Sequence, residues 1–170
     1  DIKILTKEVM SYLKTNYFKN EIVSTSIYDA NGKRTSSFIN IDDTHFSSIG
    51  GSWNQNIKKE AHVFCFVMNL NGNYSFDKGF TNAVLYNAKS VRVTPSVYLS
   101  YDYGELVTLA PSYKFTYNET KYENYLIEAN SNVLHSINLQ TTNYWPENWV
   151  FGNDFGYTYN SNISDGFKKD

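Results

Sequence analysis

The chain has 170 residues and a formal net charge of −2, with 17% aromatic but only 19% charged residues, against about 25% charged in an average soluble domain. Near-neutrality leaves no electrostatic footprint for nucleic acid, and no apolar run approaches the roughly 18 residues of a membrane-spanning helix. The single cysteine, Cys65, excludes an internal disulfide and a cysteine zinc cluster. What remains is an unusual mixture: 15 tyrosines, and 51 residues that are Asn, Ser or Thr.

Period-two alternation dominates the chain from end to end, and side chains two apart share one face of a strand. In the first twenty residues Met10, Leu13 and Tyr17 have helical spacing, but Tyr12, Lys14, Asn16 and Phe18 alternate, which favours a strand. A strand around 21–29 leads into Ala30-Asn31-Gly32-Lys33, whose Asn-Gly is a strong hairpin signal. A long strand spans parts of 34–57, and Lys58-Lys59-Glu60 is a short turn. His62, Phe64, Phe66, Met68, Leu70, Tyr74 and Phe76 then share a face opposite Asn69, Asn71, Asn73 and Ser75.

A long polar loop is predicted near 77–88. Val91, Val93, Pro95, Val97, Leu99, Tyr101 and Tyr103 alternate next, with a short turn at Asp102-Tyr103-Gly104-Glu105. Val107, Leu109, Pro111, Tyr113, Phe115 and Tyr117 follow, then a second long loop near 118–131. Val133, His135, Ile137, Leu139 and Thr141 precede the short turn Tyr144-Trp145-Pro146-Glu147-Asn148. Trp149, Phe151, Phe155, Tyr157 and Tyr159 form the last strand before a third loop near 160–170. The expectation is about seven antiparallel strands of about 13–17 residues in an up-and-down meander, against a usual strand length of about 5–6. Pro95 and Pro111 cannot donate to a ladder and are expected at a bulge in neighbouring strands.

Soluble sheets cover their outer face with Lys, Glu, Arg and Thr. Here the polar face is Asn, Ser, Thr and Gly, and charges gather at the connections, as at Lys58, Lys59, Glu60, Glu119, Lys121 and Glu123. Long strands, an uncharged aromatic face and alternating short and long connections point to a transmembrane β-barrel, all-β and located in the cell outer membrane. Tyr101, Tyr103, Tyr144, Trp145 and Trp149 flank the short turns as an interfacial girdle requires. Tyr157 and Tyr159, with Tyr74 and Tyr117, flank the long-loop side. Asn69, Asn71, Asn73, Asn138 and Gln140 would face the lumen. Phe80, Tyr86, Tyr122 and Tyr125, set among Asn residues in the predicted long loops, are the candidate ligand-binding residues, suited to stacking on sugars or peptides. The alternative is a soluble all-β glycan-binding or adhesin module with its aromatics packed into a sandwich core.

No enzymatic constellation emerges. His45, His62 and His135 are dispersed, Cys65 lacks the partners of a catalytic thiol, and Asp42, Asp43, Asp154 and Asp165 fit no calcium loop. Gly50, Gly51, Gly152 and Gly156 lack phosphate-loop spacing. The expectation is no catalysis, no cofactor and no metal.

The run from Trp145 through Trp149-Val150-Phe151-Gly152-Asn153-Asp154-Phe155-Gly156-Tyr157-Thr158-Tyr159 to Asn162 resembles a barrel strand of TonB-dependent-receptor-like outer-membrane proteins. So do Tyr17-Phe18-Lys19-Asn20-Glu21-Ile22, and the following hairpin with Asn40 and with Gly50-Gly51 before Trp53. The resemblance is to large outer-membrane β-barrel proteins that carry an N-terminal carboxypeptidase-regulatory-like domain and a plug. It implies a plugged barrel of about 22 strands that takes up a solute with energy from TonB. It also implies as partners outer-membrane lipid, the remaining barrel strands, the plug and a surface lipoprotein. Neither plug nor TonB box is recognisable, and about seven strands cannot close such a barrel. The chain starts at Asp1 without signal-peptide features, and its last residues read as a loop leaving a strand, so residues 1–170 are expected to be one incomplete barrel segment.

Overall fold

A computed structural model describes residues 2–81, 84–125 and 128–161. They form one antiparallel meander of nine strands: β1 (Ile2–Phe18), β2 (Glu21–Tyr28), β3 (Arg34–Ile41), β4 (Thr44–Lys59), β5 (His62–Thr81), β6 (Val84–Tyr103), β7 (Val107–Glu123), β8 (Ala129–Trp145) and β9 (Trp149–Asn160). Seven make a continuous wall in the order β1-β4-β5-β6-β7-β8-β9, while β2 and β3 form a hairpin off its end. The all-β meander expected from alternation is present. The sheet is open: β1 and β9 each have one neighbour in the wall.

Three expectations are corrected. The strand number is nine rather than seven, because the long 34–57 strand breaks at residues 42–43 and the β2–β3 hairpin separates from β1 and β4. The segments near 77–88 and 118–131 are mostly strand, since β5 runs to Thr81, β6 starts at Val84 and β7 reaches Glu123. Their alternation continues through Phe76, Lys78 and Phe80, but charged residues replace the apolar ones and mask the periodicity. Pro95 and Pro111 sit at no bulge. Val93 pairs with Tyr117 and Ser96 with Lys114, so β6 and β7 keep one register across the gap. Pro95 remains paired with Leu70 of β5 and Pro111 with Leu139 of β8, which leaves both interruptions on the β6–β7 seam. The register shift in the β1–β4 pair lies instead between Ile4 and Thr6.

Register assigns every side chain to a face. Leu13, Ile49, Gly72, Val93, Tyr117 and Val133 lie on one cross-strand row, and the apolar residues of each strand follow that phase. Among the described residues of the seven-strand wall, every buried one lies on the opposite, polar face: Thr44, Ser48, Gly50, Gly79, Ala88, Ala110 and Thr116. In a single-layer sheet, burial confined to one face marks that face as concave, because its side chains lean together. Crowding explains why those positions are small. Tyr12 lies over Gly50, where an added Cβ would sit 2.5 Å from its ring, and donates a hydrogen bond to Asn71 Oδ1 at 3.0 Å.

The convex apolar face has no second layer. Ile49 is 60% exposed, Leu70 56% and Phe155 61%, and among the described residues the buried hydrophobic ones are Ile41, Ala88 and Ala110. Accessible surface totals 12458 Å², where a compact monomer of 19.6 kDa exposes roughly 8,600 Å². Ordering each residue costs about 1–2 kcal/mol of backbone entropy, and stable domains offset it by packing one layer on another. This chain offers no internal layer to do so, and its apolar face requires a medium or a partner.

Where β1 passes into β2 and β3 into β4, the chain bends through Asn20 (φ 58°) and Asp43 (φ 65°). The backbone N–H of Asn20 donates to Asp42 Oδ1 at 2.7 Å, Tyr17 donates to Asp43, and Thr44 donates to Glu21. Lys78 Nζ donates to the Asp42 carbonyl at 3.0 Å. These contacts hold the hairpin so that β2 runs parallel to the end of β5, pairing Thr25 with Phe80.

Two substitutions test this geometry by urea titration of the folded chain. Gly50→Val forces the Tyr12 ring away and removes its bond to Asn71, and should destabilise by about 1–3 kcal/mol. Glu60 turns β4 into β5 at φ 55°, so Glu60→Gly should stabilise by about 0.5–1 kcal/mol.

Candidate functional site

The first functional surface is the convex face. On its phase, residues 9–17 of β1, 45–57 of β4, 62–76 of β5, 91–103 of β6, 107–117 of β7, 133–145 of β8 and 149–159 of β9 include no Asp, Glu, Lys or Arg; nearer the start of the edge strand β1, Lys7 pairs with Gln55 on this same phase and is the exception within the belt. Over the same spans the concave face carries Lys14, Arg92, Asp102, Lys114 and Asp154. The run from Phe64 to Tyr74 covers about 33 Å along β5.

Polar-tipped aromatics border this belt at the end of the tight connections. The His62 ring stacks on Tyr103 at 4.7 Å, its Nδ1 lies 2.9 Å from the Tyr101 hydroxyl, and Tyr101 packs on Phe64 at 5.0 Å. Trp145 and Trp149 pair across the β8–β9 connection, 67% and 72% exposed on the convex face. Farther along, His135 Nδ1 lies 2.8 Å from the Tyr113 hydroxyl, with the Phe115 and Tyr159 rings at 5.1 and 6.0 Å, and Tyr157 is exposed on the same face. Tyr101, Tyr103, Trp145, Trp149, Tyr157 and Tyr159 therefore share the convex face. Tyr144 does not: it pairs with Val150 on the concave phase, one residue out of step with Trp145, and is corrected from the girdle.

An open hollow of about 860 Å³ interrupts the belt, lined chiefly by Leu13, Ile49, Gly51, Met68, Leu70 and Val97. It arises because Gly51 stands in a row of larger apolar residues. It presents no charged group.

The second surface lies beyond the belt, where β5, β6 and β7 project past it. Tyr86, Tyr122 and Tyr125 converge there on the concave side, with ring centroids 4.8 Å apart for Tyr86 and Tyr125, 5.0 Å for Tyr122 and Tyr125 and 6.4 Å for Tyr86 and Tyr122. Tyr86 lies over its cross-strand partner Gly79, whose added Cβ would meet the Tyr86 hydroxyl at 2.5 Å. Burial raises the Tyr86 hydroxyl pKa above its ordinary value, reinforced by Tyr125, Tyr122 and Asp77. Phe80 is not in this group, because it pairs with Leu85 on the convex phase. Of the four candidate binding residues only Tyr125 lies in a connection; Phe80, Tyr86 and Tyr122 belong to β5, β6 and β7. Sequence reasoning missed Gly79 because its role depends on the β5–β6 register, hidden by the predicted loop.

On the convex side of the same projection, Lys89 Nζ donates to Glu123 Oε1 at 2.6 Å and Asn87 Nδ2 donates to Oε2 at 3.1 Å. The Lys89 hydrogen bond, then that of Asn87, hold the Glu123 carboxyl below the usual glutamate range, and Glu123 raises Lys89. Among the described residues no group of His, Cys, Asp and Glu is placed to hold a metal ion, and Cys65 is a free thiol 4.0 Å from Asn54 Oδ1.

Comparisons with protein families, curated proteins and solved structures return no match.

The pair gives a pH test. Glu123, being lowered, contributes stability above the ordinary glutamate pKa and loses it as pH falls through the lower folded value. Lys89, being raised, contributes below the ordinary lysine pKa and loses it as pH rises through the higher one. Carboxyl-carbon NMR titration should place Glu123 below free glutamate, and Lys89→Met should move it upward. Both side chains are about half exposed, so the shift should shrink in high salt.

Proposed function

We propose that this chain is a segment of the wall of an outer-membrane β-barrel of the TonB-dependent-receptor-like kind, and that it serves solute uptake without covalent catalysis. The single observation that carries this reading is the segregation of charge: from β4 to β9 no Asp, Glu, Lys or Arg lies on the convex belt and those within that span lie on the concave face, with Lys7 of the edge strand β1 the one exception. In lipid, an outward-facing charge near the midplane costs about 2–4 kcal/mol, whereas a lumen-facing one is tolerated. A soluble sheet has no reason for this partition on an uncovered face.

On this reading the convex face meets outer-membrane lipid, with hydrocarbon chains filling the hollow near Gly51. The concave Asn, Ser and Thr rows meet an aqueous lumen or a plug. The projecting ends face outward, and Tyr86, Tyr122 and Tyr125 offer ring faces for stacking on a sugar or peptide. The remaining strands, a plug, TonB and a surface lipoprotein are the partners that the resemblance brings with it.

The test compares two neighbours on one strand. Leu70→Arg, on the belt, should weaken folding into lipid vesicles by about 2–4 kcal/mol. Asn69→Arg, on the concave face between Ser52 and Ser96, should cost under about 1 kcal/mol. Equal effects, or wild-type protein that remains soluble and monodisperse without detergent, would refute the membrane reading.

A further inference from the structure

One cation stands on the face that otherwise excludes charge. Lys7 pairs with Gln55 on the convex phase, level with Phe66 of β5 and Leu99 of β6. At other places on this face polar side chains satisfy one another across strands. Thr15 Oγ1 lies 3.2 Å from Ser47 Oγ, and Asn153 Nδ2 donates to Thr141 Oγ1 at 3.2 Å. Lys7 and Gln55 differ: neither has a side-chain hydrogen bond or ion pair with a described residue. The nearby acids lie elsewhere, Glu8 on the concave phase beside Asn54 and Glu60 in the β4–β5 turn.

Lys7 also stands at the mouth of the 860 Å³ hollow. The row Val9, Trp53, Met68 and Val97 is two residues, about 7 Å, from the Lys7–Gln55 row, and Ser11 and Gly51 form a small-residue floor about 7 Å farther on. In the other direction Lys59, exposed and also without an ion pair, shares the convex phase about 13 Å away, with Ile4 and Ile57 between the two lysines. We infer that this part of the wall is a binding site for one anionic phospholipid. Its phosphate lies between Lys7 and Lys59, the Gln55 amide donates to the glycerol ester oxygens, and one acyl chain runs past Trp53 into the hollow at Gly51. This inference rests on the membrane reading above.

The two halves of the site do different work. The hollow is apolar and accepts any hydrocarbon chain, so it selects no lipid by itself. The cations supply the selection. An unpaired ammonium in hydrocarbon is unfavourable, so a lysine near the rim of the belt turns its head toward the lipid headgroups while its stem stays on the apolar surface. A phosphate there meets it with charge-assisted hydrogen bonds. A zwitterionic lipid carries its own cation beside the phosphate and gains less. The floor suits a chain lying close to the backbone, since at Gly51 even an added Cβ would stand 3.3 Å from the Met10 carbonyl oxygen.

The test uses the intact protein, extracted from its membrane and reconstituted into phosphatidylcholine vesicles. These contain increasing fractions of brominated phosphatidylglycerol or, in parallel, brominated phosphatidylcholine. Bromine quenches tryptophan on contact, and the part of the quenching that Trp53→Phe abolishes belongs to Trp53. Half-maximal Trp53 quenching is expected at an about 5-fold lower mole fraction of the anionic lipid. This preference should fall close to 1 in Lys7→Gln and in high salt, and should survive in Lys7→Arg. Equal quenching by the two lipids, as when an acid of a neighbouring strand neutralises Lys7, overturns the lipid site and leaves the membrane reading standing. So does a preference that Lys7→Gln leaves intact. Where Lys7→Gln does not insert, the salt titration of the wild type decides, a salt-independent preference overturning the site. Trp53 quenched by neither lipid defeats both readings.

Discussion

The constraint on which the rest depends is that a pleated strand has two faces and this chain supplies a cover for neither. Each residue added to a long strand extends an apolar row and a polar row together. The polar row can be satisfied by water. The apolar row cannot, and with three buried hydrophobic residues the described part of the chain has no interior of its own. On the membrane reading proposed above, hydrocarbon resolves that conflict at no conformational cost to the protein and accounts for the remaining features. Every backbone donor and acceptor must be tied to a neighbouring strand, charges must leave the outer face, and rings with polar tips must collect where hydrocarbon gives way to water.

Curvature follows from side-chain volume. Thr116 and Ala110 occupy the inside of the bend, whereas Phe155, Tyr157 and Trp149 splay on the outside. Among the large residues on the inside, Tyr12 and Tyr86 are each accommodated by a glycine on an adjacent strand, Gly50 and Gly79. The inner surface is thereby lined by hydroxyls, amides and a few tyrosines, several of them tied across strands, as in the Asn118 to Asn132 bond of 2.9 Å and the Ser90 to Thr120 contact of 2.9 Å.

Alternation made the meander readable in the sequence wherever one face was apolar: the runs at 62–76, 91–103, 107–117, 133–141 and 149–159 all lie in strands of that phase. It failed where charged residues entered the alternating row, as at Lys78, Lys89 and Lys121, because the polar extension of a strand looks compositionally like a loop. The same masking put Tyr86 and Tyr122 in loops. Tyr144 and Trp145 show a second limit: two adjacent rings beside one turn cannot share a face, and composition alone does not say which faces outward. The kink at Asn20 and Asp43 was beyond reach, since it depends on Asp42, Glu21 and Lys78 meeting across distant positions.

The two prolines give the wall an uneven grain. Each keeps its pairing on the outer side, to Leu70 and to Leu139, and both gaps fall on the single seam between β6 and β7. A ladder missing rungs at two heights is looser than its neighbours on either flank. Amide exchange and any breathing of the wall should therefore start in its middle, leaving two stiffer panels, β4–β6 and β7–β9, that hinge against each other.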